Sequence, residues 1–143
     1  MRNSHVLADI NVYGSKLLEH KNDLIKHTIK NIGLSSEKMD YSEESLYYID
    51  NFLIGNEISK ESTYSNLMGL LLYVGEVYTK KKGGYLKMKN ISSNKWIVAV
   101  YNSDNSESDI LIWVYGSVYS YAGNELPSIT ASYFAITANP FFK

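Results

Sequence analysis

Apolar residues in the first half of the chain recur at the three- and four-residue spacing that is typical of helices. This periodicity predicts three helices, at residues 15–32, 42–54 and 63–80. Gly33 follows the first helix, where a left-handed C-cap often lies. Ser42 precedes the second helix, and Ser62 and Thr63 precede the third, as N-cap candidates. The third predicted helix is apolar on nearly all sides, which indicates burial on both faces.

After Gly83 and Gly84 the pattern changes to alternation and to short runs rich in β-branched and aromatic residues. It predicts strands at residues 85–89, 96–101, 110–115 and 118–122. The polar residues 103–108 are interpreted as a hairpin loop, and residues 128–138 fit a helix or a strand equally well. N-terminal helices followed by hairpin-linked strands predict one α+β domain over residues 1–143, with a mainly antiparallel sheet.

Two glycines and one acid interrupt the third predicted helix. Gly69 and Gly75 each cost helix stability, so we expect a neighbouring backbone, most simply a sheet, to approach there closely. Glu76 has two interpretations: a buried catalytic acid or base, or a helix-end acid paired with Lys80 at the i+4 position. The second is favoured, because no partner acid or nucleophile is specified.

Composition narrows the classes of function. The chain has 143 residues, 45% of them apolar, a formal charge of −1 and no cysteine, which excludes disulfides, thiolate metal sites and cysteine catalysis. Arg2 is its only arginine, so we expect no dedicated nucleic-acid interface. The apolar runs are shorter than the roughly 20 residues that cross a bilayer, and no signal peptide is recognisable. We therefore expect no membrane insertion and a cytoplasmic location.

The potential metal ligands have unsuitable spacing. His20 and His27 lie roughly 10 Å apart along a helix, which is too far for one metal ion, and Asp23 with His27 lacks a third ligand. Another group of potential ligands, in the polar loop around residues 103–109, consists of Asp104, Glu107 and Asp109. It has Asp109 where a calcium loop requires glycine, so a solvated loop is favoured. The sequence predicts no metal and no cofactor.

Charge and tyrosine are distributed unevenly. Residues 37–61 are markedly acidic, whereas lysines at positions 80–82, 87, 89 and 95 form a basic patch. Each group can be a solvated surface or can steer a partner of opposite charge. The chain also has thirteen tyrosines, a residue that is enriched at protein interfaces. The predicted partner-binding residues, in the acidic segment 40–61, are Asp40, Glu43, Glu44, Tyr47, Tyr48, Asp50 and Glu57.

One window of the sequence resembles a known group of proteins. Its motif is Tyr73-Val74-Gly75-Glu76-Val77, followed by Gly83-Gly84-Tyr85-Leu86. Over residues 62–101 it resembles small bacterial α+β proteins of the toxin-immunity type, with Tyr85 standing where their pattern has tryptophan. The resemblance implies a cytoplasmic, non-enzymatic protein that binds a toxin and blocks it, and it implies no catalytic residue.

Three hypotheses follow. The first is a non-enzymatic immunity or inhibitor protein that binds and neutralises a cognate, basic protein toxin. The second is a small-ligand-binding domain or minor enzyme with a pocket near Glu76. The third is a homo-oligomeric structural protein that assembles through predicted strands around Trp113. The sequence leaves the toxin, the contact residues and the oligomeric state open.

Overall fold

The structure is a computed structural model that describes residues 7–122 and 128–138. A 3-10 helix spans Gly14–His20. The α-helices that follow it in the described ranges are α1 Lys21–Ile32, α2 Glu44–Gly55, α3 Lys60–Ser65, α4 Leu67–Lys82, α5 Ile110–Ala122 and α6 Ile129–Ala138. The strands, which lie between α4 and α5 in the chain, are β1 Tyr85–Ser92, β2 Lys95–Tyr101 and β3 Glu107–Ser108.

The three strands form one antiparallel sheet in the order β1-β2-β3. Tyr85 pairs with Tyr101, and Val100 pairs with Ser108. Gly83 and Gly84 connect α4 to β1 with φ angles of 80° and 96°, which favour glycine. The predicted α+β class and the antiparallel pairing are therefore confirmed.

Helix α4 lies at the centre of the apolar core. Its buried residues face in several directions and are Leu67, Gly69, Leu70, Leu71, Leu72, Tyr73, Val74, Gly75, Val77 and Tyr78. A Cβ at Gly75 would lie 2.9 Å from the side chain of Leu86 on β1, so the neighbour there is the predicted sheet, but side chains rather than its backbone make the close approach. A Cβ at Gly69 would collide with Thr28 on α1. The neighbour at Gly69 is thus a helix, and the expectation of a sheet there was wrong.

The predicted strands at 110–115 and 118–122 were wrong, because both segments belong to α5. Ile110, Leu111, Val114 and Tyr115 are buried, at helical spacing. The Ser108 Oγ accepts a hydrogen bond of 3.2 Å from the Ile110 amide at the start of the helix. A short apolar run that is buried on several sides fits a strand or a helix, and here tertiary packing selects the helix. The predicted loop 103–108 does form a hairpin turn, between the antiparallel strands β2 and β3, but it is shorter than predicted because residues 107 and 108 form β3.

The observed helices differ from the predicted ones in further details. The first predicted helix is a 3-10 helix up to His20 and an α-helix only from Lys21. Ser62 and Thr63 lie inside the separate helix α3, so they do not cap α4, which follows Asn66. Residues 129–138, which fitted both structures, form a helix. Helices therefore precede and follow the sheet, and they are not all N-terminal.

Candidate functional site

Residues 34–43, between α1 and α2, form the centre of the candidate site. The Asp40 Oδ1 accepts hydrogen bonds from the Ser42 amide, at 3.0 Å, and from the Ser42 hydroxyl, at 2.5 Å. These bonds hold the pKa of the Asp40 carboxyl below its usual value. The Ser42 Oγ accepts from the Ser45 amide at 3.2 Å, as its predicted capping role requires. Side-chain hydrogen bonds thus define the entry into α2.

A buried tyrosine of α4 supports this loop from below. The Tyr73 hydroxyl donates to the Ser45 Oγ at 2.6 Å and accepts from the Tyr41 amide at 3.0 Å. The rings of Tyr41 and Tyr73 stack with their centroids 4.8 Å apart. Tyr41 has a φ of 64°, a left-handed conformation that is uncommon for a tyrosine. The core helix therefore fixes the backbone of the loop directly beneath its acidic side chains.

The loop and the start of α2 surround a surface depression of about 270 Å³. It is lined by Glu37, Lys38, Asp40, Ser42, Glu44, Ser45 and Tyr48. The Tyr48 hydroxyl accepts from the Ser35 amide at 2.7 Å, and the Lys38 Nζ lies 5.2 Å from the centroid of the Tyr48 ring. With three carboxylates and one ammonium group, the depression favours cations and hydrogen-bond donors.

The structure places the predicted partner-binding residues in four settings, of which the buried position of Asp50 is described separately below. Asp40, Glu44 and Tyr48 line the depression, whereas Tyr47 and Glu57 are exposed on and just beyond α2. Glu43 is half-buried. Burial raises the pKa of the Tyr133 hydroxyl in α6, and the Glu43 carboxylate raises it further.

Asp50 has a structural role. Its side chain is on the inner side of α2, and the residue is only 6% exposed. The carboxylate accepts hydrogen bonds from the Ile129 amide at 3.1 Å, the Thr130 amide at 3.0 Å and the Thr130 hydroxyl at 2.7 Å. Asp50 therefore caps the start of α6 and is not on the exposed acidic surface.

Sequence reasoning did not select several residues of this site. Ser45 and Lys38 line the depression, but neither carries a signal that separates it from an ordinary surface residue. Phe134 of α6 stacks on Tyr47 of α2 with ring centroids 5.7 Å apart. No local pattern could have paired them, because the contact depends on how α6 packs.

Glu76 pairs with a different residue from the one that the sequence predicts. Glu76 forms an ion pair with Lys21 at the start of α1, and no ion pair with Lys80 is found among the described residues. Its side chain is 27% exposed. Burial raises the pKa of the neighbouring Tyr41 hydroxyl, and the Glu76 charge adds to that effect. The carboxylate that a pocket near Glu76 would use is therefore already engaged.

The basic patch is partly neutralised within the chain. Lys89 pairs with Glu107 at 2.8 Å, and Lys95 pairs with Asp9 at 2.6 Å. The hydrogen bond that Lys89 donates to the Glu107 carboxylate raises the pKa of Lys89 above its usual value. Lys82 donates to the Thr137 carbonyl at 3.4 Å. These contacts leave less free positive charge than the sequence indicates.

The structure also locates the potential metal ligands and Trp113, which the sequence offered as further candidates. Asp104 accepts from the Ser106 amide at 2.9 Å within its own turn. His20 stacks on Tyr13, and His27 is exposed. Over residues 7–122 and 128–138, no group of three or more His, Cys, Asp or Glu side chains is arranged to hold a metal ion. Trp113 lies in α5, so the strands through which the oligomer hypothesis assembled the chain do not exist.

Comparisons with known proteins give no relationship: no protein-family model matches the chain, and no curated protein and no solved structure is significantly similar to it. In the part of the chain that the structure describes, none of the helices combines the length and the apolar character needed to cross a membrane.

Proposed function

We propose that this chain is a non-enzymatic inhibitor of the immunity type, which binds and neutralises a basic protein toxin through the loop 34–43 and the outer face of α2. The observation that carries the proposal is the acidic depression, because loop and helix bring Glu37, Asp40 and Glu44 around one concave surface beside Tyr48. A carboxylate-lined depression with an aromatic wall suits the lysine and arginine side chains of a partner.

The electrostatics of the depression favour binding over catalysis. The hydrogen bonds from Ser42 lower the pKa of Asp40, so its carboxylate stays ionised at neutral pH. A general acid or base works best with a pKa near the working pH, and this shift moves Asp40 in the opposite direction. An ionised carboxylate instead maintains a negative potential, which accelerates association with a basic protein.

The anchoring of the loop supports the same proposal. Tyr73 and Ser45 hold its backbone from the core side, so the acidic side chains are presented on a preorganised support. Preorganisation lowers the entropy cost of association, which is an advantage for an inhibitor. The resemblance of residues 62–101 to immunity proteins is the basis for the biological role. That the partner is a toxin is part of the proposal and follows from this resemblance.

Co-expression with the product of the neighbouring gene tests this function, because immunity genes lie beside their toxin genes. We expect the two proteins to co-purify and the cells to survive expression of that product. Glu37→Lys combined with Glu44→Lys should weaken binding by at least about tenfold, since both changes place like charges against a basic partner. Glu19→Lys combined with Asp23→Lys, at exposed acids of the 3-10 helix and α1, makes the same change in net charge; this matched control should bind normally.

Two results would contradict the proposal. In one, the neighbouring product does not co-purify with the chain and the cells are not protected. In the other, Glu19→Lys with Asp23→Lys impairs binding as strongly as Glu37→Lys with Glu44→Lys, which would mean that net charge alone is responsible. Circular dichroism and thermal unfolding of each variant establish that it is folded before binding is compared.

A further inference from the structure

The exposed face of α2 combines acidic and apolar residues in one line. Glu44, Tyr47, Asn51 and Ile54 are exposed and follow the i, i+3, i+7, i+10 spacing that places residues on one helix face. Tyr47 is 53% exposed and Ile54 is 44% exposed. The exposed Glu57 follows just beyond the helix end. We call this line of five residues the α2 stripe.

Helix α6 widens the α2 stripe at one point. The partly buried Phe134 stacks on Tyr47, so the two rings form one aromatic surface that is shared by two helices. Asp50 holds the start of α6 against α2 through its hydrogen bonds to Ile129 and Thr130. The aromatic surface therefore rests on a fixed pair of helices, and a partner can use it without reordering the backbone.

Charge and spacing together indicate what covers the α2 stripe. Its apolar residues, Tyr47 and Ile54, are seven positions apart, which corresponds to about 10.5 Å along a helix axis. Carboxylates stand at both ends, Glu44 on one side and Glu57 on the other. An amphipathic helix presents apolar side chains at the same seven-residue spacing, and lysines or arginines flanking them would meet these carboxylates.

We propose that the α2 stripe docks a basic amphipathic helix of the partner protein, with Tyr47, Phe134 and Ile54 as its apolar anchors. This inference rests on the proposed function in taking the partner to be a basic protein. It goes further by naming the partner's element and by adding α6 to the interface. The depression receives a flanking basic side chain, and the stripe supplies the apolar contact that a purely electrostatic encounter lacks.

The test uses a synthetic helical peptide of leucine and lysine, with leucines at seven-residue spacing, and fluorescence anisotropy. We expect Tyr47→Ala and Ile54→Ala each to weaken binding of this peptide by about tenfold, as truncation of an interface anchor does. Tyr85→Ala and Val12→Ala remove exposed side chains elsewhere and are the matched controls, for which less than about a twofold change is expected. A peptide of the same composition in scrambled order should bind less tightly than the ordered one.

The inference is overturned if Tyr47→Ala and Ile54→Ala bind the ordered peptide like the wild type, or if ordered and scrambled peptides bind equally. The same variants are then measured against the product of the neighbouring gene. If that product binds and the stripe variants bind it normally, the inference fails and the proposed function stands. If it does not bind while the peptide results hold, the immunity role fails and the docking surface stands.

Discussion

Asp50 shows how one residue in the predicted binding segment can serve folding. Its buried carboxylate accepts three hydrogen bonds from Ile129 and Thr130, so Asp50→Ala would leave two amides at the start of α6 unsatisfied. We expect this variant to lower the free energy of unfolding by about 3 kcal/mol, from the combined loss of a helix cap and of charge-assisted hydrogen bonds. Chemical denaturation measures the change.

The neighbouring residue provides the control for Asp50. Asn51 is exposed on the same helix, and Asn51→Ala should change the free energy of unfolding by less than about 0.5 kcal/mol. Equal stability of Asp50→Ala and the wild type would contradict the capping role, and Asp50 would return to the group of candidate contact residues.

Two buried tyrosines allow a comparison between a paired and an unpaired hydroxyl. The Tyr73 hydroxyl bonds to Ser45 and to the Tyr41 amide, whereas among the described residues the Tyr133 hydroxyl has no hydrogen bond of normal geometry, although the Glu43 carboxylate acts on it electrostatically. We expect Tyr73→Phe to cost about 1–2 kcal/mol of unfolding free energy and Tyr133→Phe to change it by less than about 0.5 kcal/mol. Urea denaturation of both variants checks this order, and a larger cost for Tyr133→Phe would contradict it.

The sequence predicted part of the site for reasons that are local. Acidic residues and tyrosines of segment 40–61 are visible as composition, and Ser42 carries a capping signal that the structure confirms. Burial of Asp50 could not be predicted, because its partners Ile129 and Thr130 are about eighty positions away in the chain. A side chain's exposure is decided by which element packs over it, and that information is not local.

At the scale of elements, the most informative wrong prediction is the assignment of the α5 segment as strands. Ile110-Leu-Ile-Trp-Val-Tyr115 has the β-branched and aromatic character of a strand, and short apolar runs do not distinguish the two structures. One local signal for the helix was present, because Ser108 and Asp109 directly precede the run and are good N-cap residues. In the structure, the Ser108 hydroxyl does accept from the Ile110 amide.

The glycines of α4 and α5 give a graded prediction for helix packing. A methyl group at Gly69 would collide with Thr28 and the Leu24 carbonyl, whereas at Gly75 its one close contact would be the flexible end of Leu86, with Val100 and Leu111 at ordinary contact distance. Gly116 in α5 has no such neighbour. We expect Gly69→Ala to destabilise by about 2–3 kcal/mol, Gly75→Ala to destabilise less, and Gly116→Ala to stabilise by about 0.5–1 kcal/mol.

Thermal and urea unfolding of the three glycine variants check this order. The Gly116 variant is the internal control, because it reports helix propensity without a change in packing. If Gly69→Ala were as stable as Gly116→Ala, the close contact between α1 and α4 would be wrong.

At the scale of the whole molecule, α4 connects the core to the candidate site. One cluster of buried hydrophobic residues includes members from α1, α2, α4, α5 and α6, among them Ile25, Leu53 and Tyr133. The α+β class was predictable because α4 and the β1–β2 hairpin carry strong periodic signals on either side of Gly83-Gly84. The order of helices around the sheet was not, since the α5 segment was predicted as strands and the α6 segment fitted a helix or a strand equally well.

Because tyrosines are buried in the core, the stability of the whole molecule should fall as the pH rises into the alkaline range. Burial raises the pKa of Tyr73 and Tyr133 above the ordinary value of 10.0. Above pH 10 the folded chain therefore retains protons that the unfolded chain releases. By linkage, each group lowers the free energy of unfolding as pH rises, by at most about 1.4 kcal/mol per pH unit, and contributes its full stability below pH 10.

We expect Tyr133→Phe to flatten this alkaline loss of stability, because it removes one hydroxyl that the folded state keeps protonated. Urea denaturation at several pH values between about 8 and about 11.5 measures the slope, since this range spans the ordinary tyrosine pKa. Ile136→Val, at a buried position of the same helix, is the control: it should lower stability at every pH and leave the slope unchanged. If Tyr133→Phe and the wild type lost stability in parallel, the Tyr133 hydroxyl would not be buried against α2 and α4 in solution.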